Sequence, residues 1–168
     1  MQHPEASPRG VVRLEATYLC AMTGILHLHS ALRWVALILL VVTFISALLG
    51  GSTFTEGARK RGLFTMIALH VQLVLGLILY FVGENGLALF QQPDVMKNSV
   101  YRFFAVEHIS VMVIGIVLGT LGHSLVKRTE GDRAKYRKQA LFFGLALLLI
   151  VSRIPWPFMS GFEAYGWF

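Results

Sequence analysis

The hydrophobic residues of this chain occur in four long blocks rather than at alternating positions. The centres of the blocks are residues 35–49, 63–82, 109–126 and 140–151. A helix needs about 20 residues to cross the apolar core of a bilayer, and each block reaches that length when its flanks are included. Membrane-spanning strands are not expected, because the blocks lack the two-residue alternation of a membrane barrel. The pattern therefore predicts an all-α membrane protein with a four-transmembrane-helix antiparallel bundle.

The polar segments between the blocks set the predicted boundaries. We place the four spans at 24–49, 62–83, 102–126 and 138–156. Pro155 and Pro157 end the last span, because proline cannot continue a helix. The first residues contain prolines and charges without a long apolar run, so we expect a disordered extension or a start-site artefact. The predicted organisation is an extension at 1–21, a transmembrane bundle at 22–158 and a C-terminal tail at 159–168.

Composition supports a membrane protein and changes the meaning of the positive charge. The chain is 55% hydrophobic and 14% charged, whereas about a quarter of the residues in a soluble domain are charged. The formal net charge of +6 is explained by membrane orientation, so no nucleic-acid partner is expected. The single cysteine, Cys20, excludes an internal disulfide.

The basic residues are unevenly distributed along the chain. Nine of the 15 lysines and arginines lie in the loops 50–61 and 127–138 together with three acidic residues. The remaining segments carry six basic and six acidic residues. By the positive-inside rule, these two loops are predicted to be cytoplasmic and both termini to lie outside.

Five of the six histidines lie within or at the ends of the predicted spans. Polar residues in a bilayer are costly, and they usually face the interior of a bundle. His27 and His123 lie at span ends and are interpreted as interfacial anchors. Counted at 1.5 Å per residue from the span midpoints, His29 and His108 match best in depth, and His70 lies further inward.

Two imidazoles on different helices of a bundle suit a b-type haem. Each neutral imidazole nitrogen can bind the iron from one side, and apolar walls can hold the macrocycle. We therefore predict that His29 and His108 ligate a haem iron, with His70 as the alternative ligand.

Three arginines near the outer surface are candidates to pair with haem propionates: Arg33, Arg102 and Arg153. Arg33 follows His29 by one turn and lies on the same helix face. Glu107 is an alternative partner for Arg33. Another interpretation is that Arg102 and Arg153 extend to the lipid headgroups.

Two glycines, Gly115 and Gly119, follow His108 on the same face of the third predicted span. Small residues let another helix or a flat ring approach the backbone closely. Helix packing is the interpretation that we favour for this pair.

Four short motifs stand out in the chain: LHLHSALRW at 26–34, ALH at 68–70, VEH at 106–108 and IPWPF at 154–158. Together they resemble a family of short bacterial four-span membrane proteins, often labelled "cytochrome B". The resemblance covers about residues 22–158. It implies a b-haem electron-transfer protein in the cytoplasmic (inner) membrane, with His29, His70 and His108 as the carried-over positions. No Cys-x-x-Cys-His motif is present, which excludes a covalently attached c-type haem.

The leading functional hypothesis is a haem b electron-transfer protein in the lipid bilayer, with quinone or a respiratory complex as its partner. The alternative is a non-enzymatic accessory subunit of a larger membrane complex. A proton-coupled transporter with Glu107 and His108 as protonation sites is a third interpretation, disfavoured because four spans without repeats are few for a transporter. Homo-oligomerisation is left open by the sequence.

Overall fold

The computed structural model describes the backbone of residues 8–165 and the side chains of residues 15–164. Four long helices form most of it: α1 Pro8–Leu48, α2 Glu56–Val82, α3 Ser99–Lys127 and α4 Asp132–Ser152. Two short 3-10 helices, Leu87–Gln91 and Glu163–Tyr165, lie in the α2–α3 connection and after α4. No strand occurs within residues 8–165, so the all-α prediction is confirmed.

Among the described residues, three helices are long and apolar enough to cross a membrane, namely α1, α2 and α3. Helix α4 differs because five charged residues occupy its first two turns. Its uncharged part, residues 139–152, is about 21 Å long at 1.5 Å per residue. The lengths of three helices are therefore compatible with a multi-pass membrane protein.

The long helices pack side by side with alternating direction. Helices α1 and α3 each pack against both α2 and α4. Thr43 of α1 is hydrogen-bonded to Thr65 of α2. His29, which comes before Thr43 on α1, accepts a hydrogen bond from Gln72, which comes after Thr65 on α2, so the two helices are antiparallel. The contacts between α2 and α3, between α3 and α4 and between α4 and α1 are antiparallel in the same way. Helices α1 and α3 consequently lie diagonally across the group from each other.

Close helix contacts depend on glycine at the predicted packing positions. A Cβ atom added to Gly115 would lie 2.9 Å from Cγ1 of Ile150 on α4. One added to Gly119 would lie 3.1 Å from Cδ1 of Leu69 on α2. The packing interpretation of both glycines is confirmed, and neither leaves room for a cofactor.

The end of the helices opposite the termini contains a buried polar cluster. Thr43 and Thr65 share a hydrogen bond of 2.7 Å. Gln139 donates from Nε2 to the carbonyl oxygen of Ala58 over 3.0 Å. His123 is only 5% exposed, so its interpretation as an interfacial anchor is wrong. The ring lies against α2 at Gly62, where an added Cβ would be 3.6 Å from its Nδ1 atom and 2.7 Å from Nε2 of Gln139.

Residues 8–21 belong to α1 instead of forming a separate segment. The helix begins at Pro8, and residues 1–7 lie outside the described part of the chain. No proline or glycine interrupts residues 11–23, so the helix of the first span continues outward. The interpretation of residues 8–21 as disordered is therefore corrected.

The C-terminal helix ends earlier than predicted, at Ser152 rather than at residue 156. Pro155 disfavours helical geometry at the residue before it and has no backbone N–H group. The chain then folds back over the helix ends. Phe162 is buried, and its ring centroid lies 4.6 Å from that of Phe103.

Candidate functional site

A cavity of about 330 Å³ lies between α1, α2 and α3, and the end of α4 partly closes it. It lies toward the end of the molecule where the α2–α3 connection begins, and apolar side chains form most of its wall. The polar residues around it include Tyr18, Thr23, His29, Ser30, Arg33, Gln72, Tyr80, Glu84, Asn85 and His108. Two of the predicted haem ligands, His29 and His108, therefore line one cavity.

His108 has its ring oriented by the chain that leaves α4. Its Nδ1 atom lies 2.7 Å from the carbonyl oxygen of Arg153. A carbonyl oxygen only accepts hydrogen bonds, so Nδ1 carries the proton and donates it. The lone pair of the neutral ring is therefore on Nε2, and the side chain lines the cavity. Metal-binding histidines commonly have this arrangement, with one nitrogen bonded to a carbonyl and the other available as a ligand.

The helix that carries His108 contains a π-helical turn at Phe103–Glu107. The backbone N–H of His108 bonds to the carbonyl of Phe103, five residues earlier. The Tyr80 hydroxyl donates to the carbonyl oxygen of Ala105 over 3.0 Å, which supplies a partner within this irregular turn. Single π turns are rare and occur frequently at functional sites. Sequence reasoning missed this turn, since nothing in the FFAVE segment distinguishes it from an ordinary helix.

His29 lies against the backbone of α2 at a glycine. A Cβ atom added to Gly76 would lie 3.2 Å from Cε1 of His29. Gln72 donates from Nε2 to the carbonyl oxygen of His29 over 2.6 Å. The sequence analysis did not identify either contact. The available signal was that Gln72 and Gly76 are one turn apart on an otherwise apolar stretch of α2.

Buried polar atoms at the cavity lack a hydrogen-bond partner among the described residues on both α1 and α2. They include Nδ1 of His29 and Oε1 of Gln72. Buried polar groups are nearly always bonded to protein or water, and leaving one unbonded costs about 1–3 kcal/mol. The cavity wall therefore offers polar atoms that a bound molecule or water can satisfy.

The four charged residues of the predicted site separate into two groups. Glu107 forms ion pairs with Arg102 at 2.8 Å and with Arg153 at 3.7 Å. Arg33 lines the cavity, and its guanidinium carbon lies 5.5 Å from the ring centroid of Trp34. Glu107 consequently neutralises the two outer arginines, and only Arg33 stands beside His29 and His108.

His70 is not brought together with the other two histidines. It is exposed on the outer face of α2 and lies six residues before Gly76, or about 9 Å along the helix axis. Its Nδ1 atom bonds to the carbonyl oxygen of Met66 over 2.8 Å. The structure therefore separates His70 from the cavity, and a ligand pair of His70 with His108 is not supported. His27 is also exposed and does not line the cavity.

No group of three or more His, Cys, Asp or Glu side chains in the described part of the chain could hold a metal ion. Within those residues the structure therefore shows no metal centre built entirely from protein ligands, but it does show a pair of histidines that line one cavity.

Comparisons of this chain with models of protein families, with characterised proteins and with solved structures find no match.

Proposed function

We propose that the chain is a multi-pass membrane protein whose four helices form an antiparallel transmembrane bundle. Three helices of membrane length support this proposal. The uncharged part of α4 completes the bundle, and its basic first turns extend into the headgroup region, where long cationic side chains are favourable. Large apolar side chains on the outward faces of α1 and α2, such as Ile38 at 61% exposed and Phe81 at 62% exposed, suit contact with lipid.

We further propose an orientation in which the loops 50–61 and 127–138 are cytoplasmic and both termini are outside. The concentration of nine of the 15 basic residues in these loops supports it. The cavity with His29 and His108 then opens toward the outer half of the bilayer.

Within this bundle, we propose that the cavity binds one haem b for electron transfer, and that His29 and His108 would hold its iron. The observation that carries this proposal is the geometry of His108: its Nδ1 is bonded to a backbone carbonyl, and its other nitrogen is left as a ligand in a mainly apolar cavity. His29 lines the same cavity from a different helix and would supply the second nitrogen. When bound, a haem supplies a one-electron Fe(III)/Fe(II) couple.

The polarity and charge of the residues around the cavity support such a group. Cavities for small ligands have volumes of roughly 300–1,000 Å³ and mostly apolar walls. The buried Nδ1 of His29 has no partner within the described chain, so a change of ring position on ligation breaks no hydrogen bond of that ring. Arg33 supplies one cation at the cavity for a propionate, and Arg102 and Arg153 are assigned to Glu107 instead.

Each neighbouring residue then has a definable task. The carbonyl of Arg153 orients His108, and the ion pair between Arg153 and Glu107 holds the end of α4 against α3. Gly76 lets the His29 ring approach α2. Apolar side chains exclude water, which favours rapid electron transfer because little solvent has to reorganise around the changing charge.

The visible absorption spectrum of the purified protein, reduced minus oxidised, tests this function. We expect the bands of a six-coordinate, low-spin haem b and about one haem per chain. The accessory-subunit alternative predicts a protein that is folded and free of haem, even after expression with added haem precursor. That result would remove the electron-transfer proposal and leave the membrane topology untouched.

A further inference from the structure

His70 lies in a groove on the outer surface of α2 and α3, on a different face of α2 from the cavity. The groove is lined by apolar side chains such as Met66 and Val74, together with Thr120 of α3. His70 is near the middle of α2, Glu56–Val82, about 21 Å from one end and about 18 Å from the other. In a bilayer, this position is far from water at either surface, where an ionisable side chain facing outward is unusual.

The hydrogen-bonding role of Nε2 of His70 follows from the bond that Nδ1 makes to the backbone of α2. Nδ1 of His70 lies 2.8 Å from the carbonyl oxygen of Met66. Because a carbonyl only accepts, Nδ1 is the donor, and Nε2 of the neutral ring is an acceptor. The hydroxyl of Thr120 donates to the carbonyl oxygen of Ile116 over 2.8 Å. Nε2 of His70 is therefore an acceptor at this apolar groove, and the Thr120 hydroxyl has already donated its proton within α3.

We propose that this groove binds a lipid-soluble phenol or hydroquinone, whose hydroxyl donates a hydrogen bond to Nε2 of His70. Acyl chains contain no donor, so lipid alone leaves the nitrogen unsatisfied at a depth that water does not reach. A phenolic ring is flat and apolar, matching the walls of the groove, and its hydroxyl is a stronger donor than that of an aliphatic alcohol. A quinone has only acceptor oxygens and does not complement the same atom.

A second copy of the chain is a poorer occupant of this groove. In a two-fold symmetric contact the same patch meets itself, and the side chains that line this groove offer Nε2 no free donor, since the Thr120 hydroxyl donates to Ile116. The inference does not depend on haem, since the groove at His70 and the cavity have no lining residue in common.

Binding of trimethylhydroquinone to the protein in lipid nanodiscs, without oxygen, tests the proposal. Its dimethyl ether is the matched probe, with the same ring and no hydroxyl donor. Nitrogen NMR of isotope-labelled histidine reports on the ring directly. We expect the Nε2 resonance of His70 to shift with trimethylhydroquinone and to stay unchanged with the ether. Equal shifts with both probes, or no shift with either, would overturn the proposal.

Substitutions separate the groove from general effects on the membrane. His70→Phe should weaken binding of trimethylhydroquinone about tenfold, the usual size for one lost hydrogen bond. Val74→Phe should block the groove while leaving His70 in place, and His27→Phe is the control at another exposed histidine. If the parent protein binds haem, all three variants should retain its visible spectrum. Unchanged binding in both groove variants, or loss of a dimer on His70→Phe, would contradict a ligand site here.

Discussion

Nδ1 of His108 lies 2.7 Å from the carbonyl oxygen of Arg153, so the residue that follows α4 orients a side chain on α3. The Arg153 side chain also reaches back to Glu107, the residue before His108, at 3.7 Å. Main-chain and side-chain contacts of a single arginine therefore hold one histidine. This relationship makes the chain after α4 part of the site, although it lies outside the predicted ligand motifs.

Replacing Glu107 with glutamine should loosen the orientation of His108 without unfolding the protein. The ion pairs of Glu107 are partly exposed, so their direct contribution to stability is small, about 0–1 kcal/mol. Changes to groups that orient a ligand typically cost 10–100-fold in affinity, and we expect about a tenfold loss of haem affinity. Titration of apoprotein with haem measures it, and Glu130→Gln, at an exposed position in the loop before α4, is the control. Equal haem affinity in Glu107→Gln and the parent would show that this ion pair does not position His108.

A methyl group at Gly76 should disturb His29 specifically. The added Cβ would lie 3.2 Å from Cε1 of the imidazole, so the ring must shift by a few tenths of an ångström. We expect Gly76→Ala to remain folded and to show a weaker or altered low-spin haem spectrum. Gly24→Ala on α1 is the control, since nothing lies within 4 Å of a Cβ there. A spectrum identical to that of the parent would show that His29 is not held against α2.

Leucine at Gly115 should destabilise the packing of α3 against α4. Even a Cβ atom there would lie 2.9 Å from Cγ1 of Ile150, and overpacking typically costs about 1–3 kcal/mol. Thermal unfolding in detergent, followed by circular dichroism, should show a lower Tm for Gly115→Leu. Gly24→Leu, which has open space around the added side chain, should unfold close to the parent. Equal Tm values for both variants would mean that this face of α3 meets only lipid.

The orientation can be checked by labelling cysteines in intact cells. In a Cys20→Ser background, cysteines at Gly57 and Thr129 should resist an impermeant thiol reagent, because their loops carry most of the basic residues. A cysteine at Asp94, in the opposite connection, should react and serves as the positive control. Labelling of both Gly57→Cys and Thr129→Cys, with protection of Asp94→Cys, would invert the topology.

The helices were predictable because their signal is local. Long apolar blocks identified all four, and Pro155 and Pro157 indicated the end of the last one, which was placed at residue 156 whereas the helix ends at Ser152. The extension of α1 to Pro8 was missed because its charges were weighted above the absence of helix-breaking residues. Helix propagation depends on the latter.

The candidate site was only partly predictable, because it depends on helix rotation. Matching His29 with His108 required depth alone, which counting residues supplies. The direction of His70 depends on how α2 is rotated against its neighbours, and one sequence does not encode that rotation clearly. The π turn before His108 and its bond to Arg153 arise from contacts between distant segments. Glu107 was weighed as a partner for Arg33, but it pairs with Arg102 and Arg153.

The measurement that tests the account most directly is the haem content and coordination of three alanine variants, His29→Ala, His108→Ala and His70→Ala, each purified in the same detergent. The account predicts that the first two lose the six-coordinate, low-spin haem spectrum and most of their haem, because each removes an axial ligand. His70→Ala should keep both, since its side chain lies outside the cavity. Full haem content with an unchanged six-coordinate spectrum in His108→Ala would contradict the assignment of the site.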